Sequence, residues 1–362
     1  MEMTFLDFFS GIGGFRHGFE LCGMRCVGHC EIDRFADRSY HALYDVKGDE
    51  WFAKDITKVK SAELPRANLW SGGFPCQDIS CCNSRQLGLS GKRSGLFFEI
   101  TRLLEGTAPK DRPEWVVLEN VKNLLSIHRG FDLAVILDSL ASLGYCVEYG
   151  LLNSRFFSVP QNRERVFLVA YRHSGAGSER KIFPLPAIDG KALIQLISGM
   201  QGQRVYNPDG ISVTLAAQGG GWGGKTGLYA VNCENQQKAS FVDLSKRKPK
   251  LTNVARCIKA KYNSGVTNRS ADSSGVFYGQ ARDMAGKLFA AKGRIRRLTP
   301  RECWRLQGFS DAMFEKAQAV NSDSQLYRQA GNSVTVTVVY AVGQRILKVR
   351  EEFERKKTIC VT

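Results

Sequence analysis

The chain has 362 residues, 43% of them hydrophobic and 24% charged, which is ordinary for a soluble globular protein. This length is too great for one small core and suits one large domain together with a smaller one. No apolar stretch reaches the roughly 20 residues of a membrane span, so we expect no membrane association. The net charge of +16 and the pI near 9.4 indicate a polyanionic partner, most simply nucleic acid.

The positive charge is concentrated in one segment. Residues 172–297 hold 21 Lys and Arg against 7 Asp and Glu, whereas the rest of the chain holds 30 against 28. We therefore expect residues 172–296 to form a smaller basic domain of short strands and irregular structure. Residues 1–171 and 297–350 would together form the larger domain, followed by a charged, frayed tail at 351–362.

The eleven cysteines are expected to be reduced thiols. The apolar start of the chain lacks a basic region and leads directly into a glycine turn, which indicates a strand and not a signal peptide. We accordingly expect a cytoplasmic protein. Cys22, Cys26 and Cys30 recur every fourth residue beside His29, but a change from helix to strand at Gly28 would separate them. We therefore expect no metal site.

Strand and helix patterns alternate along the first half of the chain. Apolar runs predict strands at residues 4–9, 26–30, 69–74, 113–118, 146–152 and 165–171, and residues 54–57 close a further unit between the second and third of these. Helical periodicity predicts helices at residues 15–22, 94–104 and 131–143, with Ser94 as a candidate N-cap for the second. Thr299 before Pro300 predicts a later helix start, and residues 334–347 predict an apolar helix that packs on the sheet. The alternation predicts a doubly wound α/β sheet.

The first predicted strand ends in Ser-Gly-Ile-Gly-Gly at residues 10–14, directly before the first helix. Glycines at this position allow backbone N–H groups to approach a ligand closely. Glu31 follows the second strand, 20 residues after Gly11, where nucleotide-binding folds contact ribose hydroxyls. Glu31, Asp55, Cys76 and Glu119 all fall at the carboxyl ends of predicted strands, where an open α/β sheet places its ligand site.

Cys76 stands in Gly-Gly-Phe-Pro-Cys-Gln at residues 72–77, a turn that would expose its thiol. Taken alone, Cys76 could equally be a buried packing residue. Glu119 in Glu-Asn-Val at residues 119–121 changes this view, because a thiolate beside a carboxylic acid suits covalent activation of an electron-poor ring.

Two arginines would assist this pair. Arg163 and Arg165 lie in Gln-Asn-Arg-Glu-Arg at residues 161–165, and alternate residues of one strand point to the same face. They could hold a ring carbonyl, a phosphate or Glu119, and could lower the thiol pKa nearby. The alternative is a surface ion-pair set with Glu164.

These motifs, in this order, resemble the cytosine-C5 DNA methyltransferases, in particular the bacterial and phage modification enzymes. The resemblance extends over residues 4–171 and 296–347 and includes the glycine loop, Glu31, Asp55, the Cys76 turn, Glu119 and residues 161–165. It also includes residues 297–309, and Gly-Asn-Ser at 331–333. It implies a Rossmann-like methyltransferase sheet, S-adenosyl-L-methionine as cofactor, and duplex DNA as substrate. The basic segment would be the target-recognition domain.

The resemblance also implies the roles of particular residues. Catalysis would involve Cys76 as nucleophile towards C6 of a flipped-out cytosine, with Glu119, Arg163 and Arg165. The cofactor would be bound by Asp7, Phe9, Gly11, Ile12, Gly13, Gly14, Glu31, Ile32, Asp55, Ile56, Pro75, Asn332 and Ser333. The DNA contacts expected are Gln77, Ser80, Arg93, Trp222, Lys225, Arg256, Lys259, Lys261 and Arg269.

Two other functions stay open at this point. A tRNA cytosine-C5 methyltransferase would share the fold, although the chain lacks the Cys-Phe-Thr tripeptide of that branch. A catalytically idle DNA-binding repressor would not need Cys76, Glu119 and Arg165. We expect a monomer that works near DNA in the nucleoid, functionally paired with a cognate restriction endonuclease if it belongs to a restriction-modification system.

Overall fold

A seven-stranded sheet forms the centre of the molecule. The computed structural model describes residues 2–46, 48–75, 94–159, 161–172, 181–186 and 298–361, with seven short strands between residues 195 and 277. The strands of the central sheet, in spatial order, are β3 (Trp51–Ala53), β2 (Arg25–Cys30), β1 (Thr4–Phe8), β4 (Leu69–Gly72), β5 (Trp115–Val121), β8 (Glu164–Arg172) and β6 (Tyr145–Asn153). The two-residue strand β7 (Gln161–Asn162) lies just before β8.

The sheet reverses its strand order at β1, which is the arrangement of a doubly wound fold. Strands β3, β2, β1, β4 and β5 are parallel, and β8 pairs antiparallel with both β5 and β6. The chain moves outwards from β1 through β2 to β3, and then returns to β4 on the other side of β1. The predicted fold class is therefore confirmed.

Alternation of side chains divides the core between the two faces of the sheet. The strand register aligns Phe5, Leu69, Trp115 and Tyr171, which pack on one face, and Leu6, Trp70, Val116 and Ala170, which pack on the other. Because both faces are buried, these strands are continuously apolar, which is the pattern typical of parallel sheets.

Helices cover both faces of the sheet. The α-helices of the described residues are α1 (Gly14–Glu20), α2 (Arg34–Leu43), α3 (Phe97–Gly106), α4 (Phe131–Ser142), α5 (Pro300–Leu306), α6 (Asp311–Gln318), α7 (Asp323–Asn332) and α8 (Val336–Val361). Phe15 and Phe19 of α1 share a core cluster with Val339 of α8, whereas Ile100 of α3 and Ile136 of α4 belong to the cluster on the opposite face. The apolar helix predicted near residue 340 thus packs against the sheet as expected.

Two local predictions need correction. Helix α3 begins at Phe97 after a single 3-10 turn, Ser94–Leu96, so Ser94 is not its N-cap. Helix α8 continues to Val361, so the tail that was expected to fray is helical. Glu351 stands four residues before Arg355, a spacing that supports an exposed helix even where apolar packing ends. Thr299, by contrast, caps α5 as predicted, and its hydroxyl accepts from the Glu302 amide at 3.2 Å.

A buried polar network ties the end of the chain to the sheet. Gln161 Nε2 donates to the Leu306 carbonyl at 2.7 Å, and Gln307 Nε2 donates to the Ala330 carbonyl at 2.6 Å. Thr335 Oγ1 also donates to Gln307 Oε1 at 2.9 Å. Because these groups are buried, each bond also avoids the cost of an unsatisfied polar atom. Residues 298–336 are thereby fixed to the strand region that precedes β8.

The segment expected to form the basic domain contributes short strands. Leu228–Tyr229, Val205–Tyr206 and Gln195–Ile197 form one small sheet, and Lys250–Thr252, Ser240–Asp243 and Ser274–Phe277 form a second. Ser212–Val213 pairs with β7 of the larger fold. Within the described residues, no helix combines the length and the apolar character needed to cross a membrane.

Candidate active site

The strand register brings the predicted acids to one edge of the sheet. Phe8 is aligned with Cys30 and with Gly72, Cys30 with Ala53, and Gly72 with Leu118. The glycine loop, Glu31, Asp55, Gly73 and Glu119 follow these positions within a few residues. The structure therefore places them along the carboxyl edge of the parallel strands, where a doubly wound fold binds its ligands.

The glycine loop is held in a conformation that favours glycine. Gly11 and Gly13 have φ of +57° and +77°, and Phe9 also has a positive φ of 54°. The hydroxyl of Tyr44 donates to the Gly13 carbonyl at 2.7 Å. A Cβ on Gly13 would lie 2.4 Å from the Tyr44 ring, and one on Gly14 would lie 2.8 Å from Ser333 Oγ. The loop is thus packed between α2 and the segment after α7.

Glu31 organises the turn beside this loop. Its Oε2 accepts from the Gly11 amide and its Oε1 from the Asp33 amide, both at 2.7 Å. Burial raises the pKa of Glu31, and these two amides act in the opposite direction. The next residue, Ile32, is 72% exposed although it is apolar. A nucleoside has hydroxyl donors on its ribose and an apolar face on its base. An acceptor group next to an exposed apolar side chain therefore matches it.

Asp55 forms the far side of this edge. Its carboxylate accepts from the backbone N–H of Thr57 at 3.1 Å and from the Thr57 hydroxyl at 2.7 Å. These two bonds lower the pKa of Asp55, so the exposed group is a carboxylate at neutral pH. Together with the glycine loop, Glu31 and Ile32, this donor and acceptor set fits an adenosyl group.

Three of the predicted cofactor residues lie beneath the surface of the site. The side chains of Asp7, Ile12 and Ile56 are 0%, 1% and 3% exposed. Burial raises the pKa of Asp7 to about 8, although the Ser71 hydroxyl donates to its Oδ1 at 3.4 Å. These buried residues therefore support the glycine loop from the side of the core.

Glu119 lies beside the turn that leads to Cys76. A Cβ on Gly73 would stand 3.4 Å from Glu119 Oε2, so this glycine leaves room for the carboxylate. Asn120 connects the two segments because its Nδ2 donates to the Phe74 carbonyl at 3.2 Å and its Oδ1 accepts from the Val121 amide at 2.8 Å. Phe74 itself is buried. Pro75 is the last described residue of this turn, and Cys76 lies outside the described residues.

The two arginines contact different groups. Arg165 Nε lies 3.0 Å from Glu119 Oε1. Arg163 is 2% exposed, and its Nη2 donates to the carbonyls of Gly331 at 3.1 Å and Ser333 at 2.8 Å. The expectation of a shared contact surface therefore needs revision, because Arg163 lies between β7 and β8 and not at an alternate position of one strand. Glu164 pairs with Lys122 at 2.9 Å.

Arg163 links the active-site strands to the Gly331-Asn332-Ser333 motif. Helix α7 ends at Asn332, which is exposed, whereas Ser333 is buried against Gly14 of the glycine loop. The late motif therefore returns to the glycine loop. Sequence reasoning did not identify Tyr44 or Asn120 as site residues. The Glu-Asn-Val motif contained a signal for Asn120, but Tyr44 depends on how α2 packs.

Other predicted site residues lie outside the described residues. They are all nine expected DNA contacts, namely Gln77, Ser80, Arg93, Trp222, Lys225, Arg256, Lys259, Lys261 and Arg269. Of the three cysteines considered for metal binding, Cys22 contacts the Tyr340 carbonyl of α8 at 3.4 Å, and Cys26 contacts the Gly28 carbonyl at 3.4 Å. Burial raises the pKa of Cys26 and Cys30 to about 12, which keeps both as neutral thiols.

Known proteins resemble this chain over nearly its whole length. It is 32% identical to the type II methyltransferase M.DsaV of Dactylococcopsis salina over 356 residues, which cover 98% of this chain and 89% of that protein. It is 28% identical to the type II methyltransferase M.HhaI of Haemophilus parahaemolyticus over 381 residues, with 95% and 94% covered. The orphan methyltransferase M.SPBetaI of Bacillus phage SPbeta is also 28% identical, with 96% and 98% covered.

Solved structures share the fold at lower identity. A methyltransferase of Entamoeba histolytica, EhMeth, superposes with a TM-score of 0.60 at 16% identity, covering 96% of this chain and 98% of that one. A prophage-encoded putative DNA modification methyltransferase from E. coli superposes with a TM-score of 0.55 at 16% identity, covering 97% and 100%. The model of the C-5 cytosine-specific DNA methylase family matches residues 3–348. With this match, the carboxyl-edge site and the ordered motifs, the chain belongs to the C-5 cytosine-specific DNA methylase family and is a DNA (cytosine-5-)-methyltransferase.

Proposed function

We propose that the protein transfers a methyl group from S-adenosyl-L-methionine to C5 of a cytosine that is flipped out of duplex DNA. The observation that carries this proposal is the position of Glu119. Its carboxylate stands between the Arg165 guanidinium and the Gly73 turn that leads directly to Cys76. A base placed there would meet an acid and a nucleophile from two adjacent parallel strands.

The cofactor would be held by residues that the structure already organises. The backbone of the glycine loop, at Gly11, Gly13 and Gly14, would face the cofactor. Glu31 would accept hydrogen bonds from the ribose hydroxyls. The adenine would be contacted by Ile32 and Asp55. When bound, the cofactor supplies a methyl group activated by a positively charged sulfonium. Pro75, Asn332 and Ser333 would complete the site from the nucleophile turn and the late motif.

The protein's own residues would activate the cytosine in two steps. The Cys76 thiolate adds to C6, and Glu119 holds or delivers a proton at N3, so that C5 gains enamine character. After C5 is methylated, loss of its hydrogen as a proton and departure of the Cys76 sulfur restore the aromatic ring. Arg165 would orient Glu119 and keep its carboxyl group aimed at the base. Arg163 would act indirectly, because it positions the late motif.

Residues 172–296 would read the DNA sequence. Their excess of positive charge supports contact with phosphates, and Trp222, Lys225 and the stretch from Arg256 to Arg269 are the proposed base and phosphate contacts. A single catalytic unit with a single recognition unit would suffice as a monomer. A cognate restriction endonuclease would be a functional partner if this chain belongs to a restriction-modification system.

The decisive experiment combines methyl transfer with covalent trapping. Purified protein should label plasmid DNA from radioactive S-adenosyl-L-methionine, and sequencing should map the methyl groups to C5 within one short motif. On duplex DNA containing 5-fluorocytosine it should form a stable covalent complex. Cys76→Ser should lose both signals and keep DNA binding, whereas Cys146→Ser, a matched thiol away from the site, should keep all three.

Three outcomes would point elsewhere. Full methylation by Cys76→Ser would contradict the nucleophile, and trapping on tRNA alone would identify an RNA enzyme. DNA binding without any methyl transfer would support a repressor. Deletion of residues 172–295 should remove sequence-specific binding and leave cofactor binding measurable, which tests the division into two domains.

A further inference from the structure

The methylase function does not explain a cluster of three side chains behind the cofactor edge. His29 lies on β2, two residues before Glu31, and Asp37 and His41 lie one turn apart on α2. His29 Nε2 is 3.6 Å from Asp37 Oδ1, and His41 Nδ1 is 3.3 Å from the same oxygen. One ligand atom from each residue lies within 4.8 Å of the other two.

The buried member of this cluster has unmet bonding capacity. His29 is 0% exposed, and neither of its ring nitrogens has a hydrogen-bond partner among the described residues. Asp37 Oδ1 is likewise buried without a hydrogen bond in that part of the chain. Buried polar groups without a partner destabilise a fold, so their convergence calls for a ligand that accepts several lone pairs.

We propose that His29, Asp37 and His41 form a binding site for a divalent transition-metal ion, with Zn²⁺ as the ion that suits the donor set. Two imidazoles and one carboxylate are common zinc ligands, and bonds of about 2.0–2.1 Å to a tetrahedral ion separate the donor atoms by about 3.3–3.4 Å. Two of the three donor separations are already close to this value. The third, between the two histidines, would close by rotation of His41, whose side chain is 44% exposed and whose Nδ1 would give up its 3.0 Å contact with the Asp37 carbonyl.

The surroundings suit a structural ion. The His29 ring stacks on Tyr40 at 3.9 Å and lies 4.8 Å from the Phe52 ring, so its orientation is set by packing. Asp37 and His41 are spaced i, i+4, which places both on one face of α2 as in helical zinc motifs. An ion would reach the site from the solvent side of α2, take water as its remaining ligand, and join α2 to β2 next to the Glu31 turn.

The competing explanation is a helix-surface ion pair between Asp37 and His41 that contributes little. Measuring how Co²⁺ and Zn²⁺ bind to the full-length, metal-stripped protein distinguishes a metal site from such an ion pair. We expect one Co²⁺ per chain, with the weak visible absorption of nitrogen and oxygen ligands and displacement by Zn²⁺. His41→Gln and Asp37→Asn should each weaken binding at least about tenfold, because loss of a residue that only orients a ligand already costs about 10–100-fold.

The matched control is His128→Gln. His128 and Asp132 form another i, i+4 pair, 2.9 Å apart, outside the cluster of His29, Asp37 and His41. The His128→Gln variant should bind Co²⁺ and Zn²⁺ with the same affinity as the wild type. Zn²⁺ should also raise the Tm of the wild type and of His128→Gln, but not the Tm of His41→Gln.

Two results would overturn the proposal. One is equal metal affinity in the wild type and in His41→Gln, with both shown to be folded by circular dichroism. The other is a cobalt spectrum dominated by thiolate charge transfer, because the ion would then be bound by some of the eleven cysteines.

Discussion

Arg165 Nε lies 3.0 Å from Glu119 Oε1, and the two side chains are only 16% and 13% exposed. The pair joins β8 to β5 beside the Gly73 turn that leads to Cys76. Ion pairs shielded from water in this way orient their partners, and loss of one member leaves the other partly buried without its counter-charge. The pair therefore holds the Glu119 carboxylate in one direction.

Replacement of Arg165 should slow methyl transfer more than it weakens binding. We expect Arg165→Ala to lower the single-turnover rate by about 10²–10³, the usual effect of losing one positioned donor in an active site. Arg165→Lys should recover only part of this loss, because an ammonium group lacks the planar fork of the guanidinium. Arg66→Ala removes an exposed pair with Asp111 and should leave the rate unchanged. An unimpaired Arg165→Ala enzyme would contradict this role for the pair.

Asn120 should matter for both stability and rate. Asn120→Ala removes the bonds to the Phe74 carbonyl and the Val121 amide and should lower the free energy of unfolding by about 1–3 kcal/mol. Because the turn at Phe74, which leads to the proposed nucleophile Cys76, is then released from β5, kcat should fall as well. Asn68→Ala is the matched control, since Asn68 also binds backbone, at Thr4 near the opposite end of the sheet. Urea unfolding should show both losses, and only Asn120→Ala should lose activity.

Two glycines with nearly the same backbone conformation should respond differently to alanine. Gly13 has φ +77° and a Cβ there would meet Tyr44 at 2.4 Å, whereas Gly23 has φ +79° and open space around it. Gly23→Ala should cost about 1–2 kcal/mol of stability through backbone strain alone. Gly13→Ala should cause the same backbone strain and, in addition, displace the Tyr44 ring. It should therefore weaken S-adenosyl-L-methionine binding at least tenfold. Calorimetric titration would test this, and equal affinities would refute it.

Asp7 should make the stability of the cofactor-free protein depend on pH. Its folded-state pKa of about 8 lies above its ordinary value of 3.8, so the folded protein holds the proton more tightly than the unfolded chain. The contribution of Asp7 to stability is greatest below pH 4 and is lost as pH rises through about 8, at roughly 1.4 kcal/mol per pH unit between the two values. Asp7→Asn should lack this loss.

Denaturant unfolding of both proteins at pH 6 and pH 8 would measure the difference. The gap in unfolding free energy between Asp7→Asn and the wild type should widen in favour of the variant at the higher pH. A gap that stays constant would show that Asp7 is ionised throughout this range.

The sequence by itself determined the sheet, the order of the site motifs and the family. Continuous apolar strands, glycine turns and acids at strand ends are local patterns, so β1, β4, β5 and the position of Glu31 followed from spacing alone. The expected end of β5 at residue 118 was wrong, because β5 pairs with β8 as far as Val121 and so includes Glu119. The helix cap at Thr299 is equally local. Boundaries such as the start of α3 were missed because packing of Phe97 and Ile100, and not the capping residue, decides them.

Only the tertiary structure decided which side chains meet. Arg163 and Arg165 stand two residues apart, yet one binds the late motif and the other binds Glu119, because the chain changes strand between them. Tyr44 reaches the glycine loop, and His29 meets Asp37 and His41, through the packing of α2 on the sheet. Such contacts join residues distant in sequence. They depend on strand register and helix orientation, which no single motif contains.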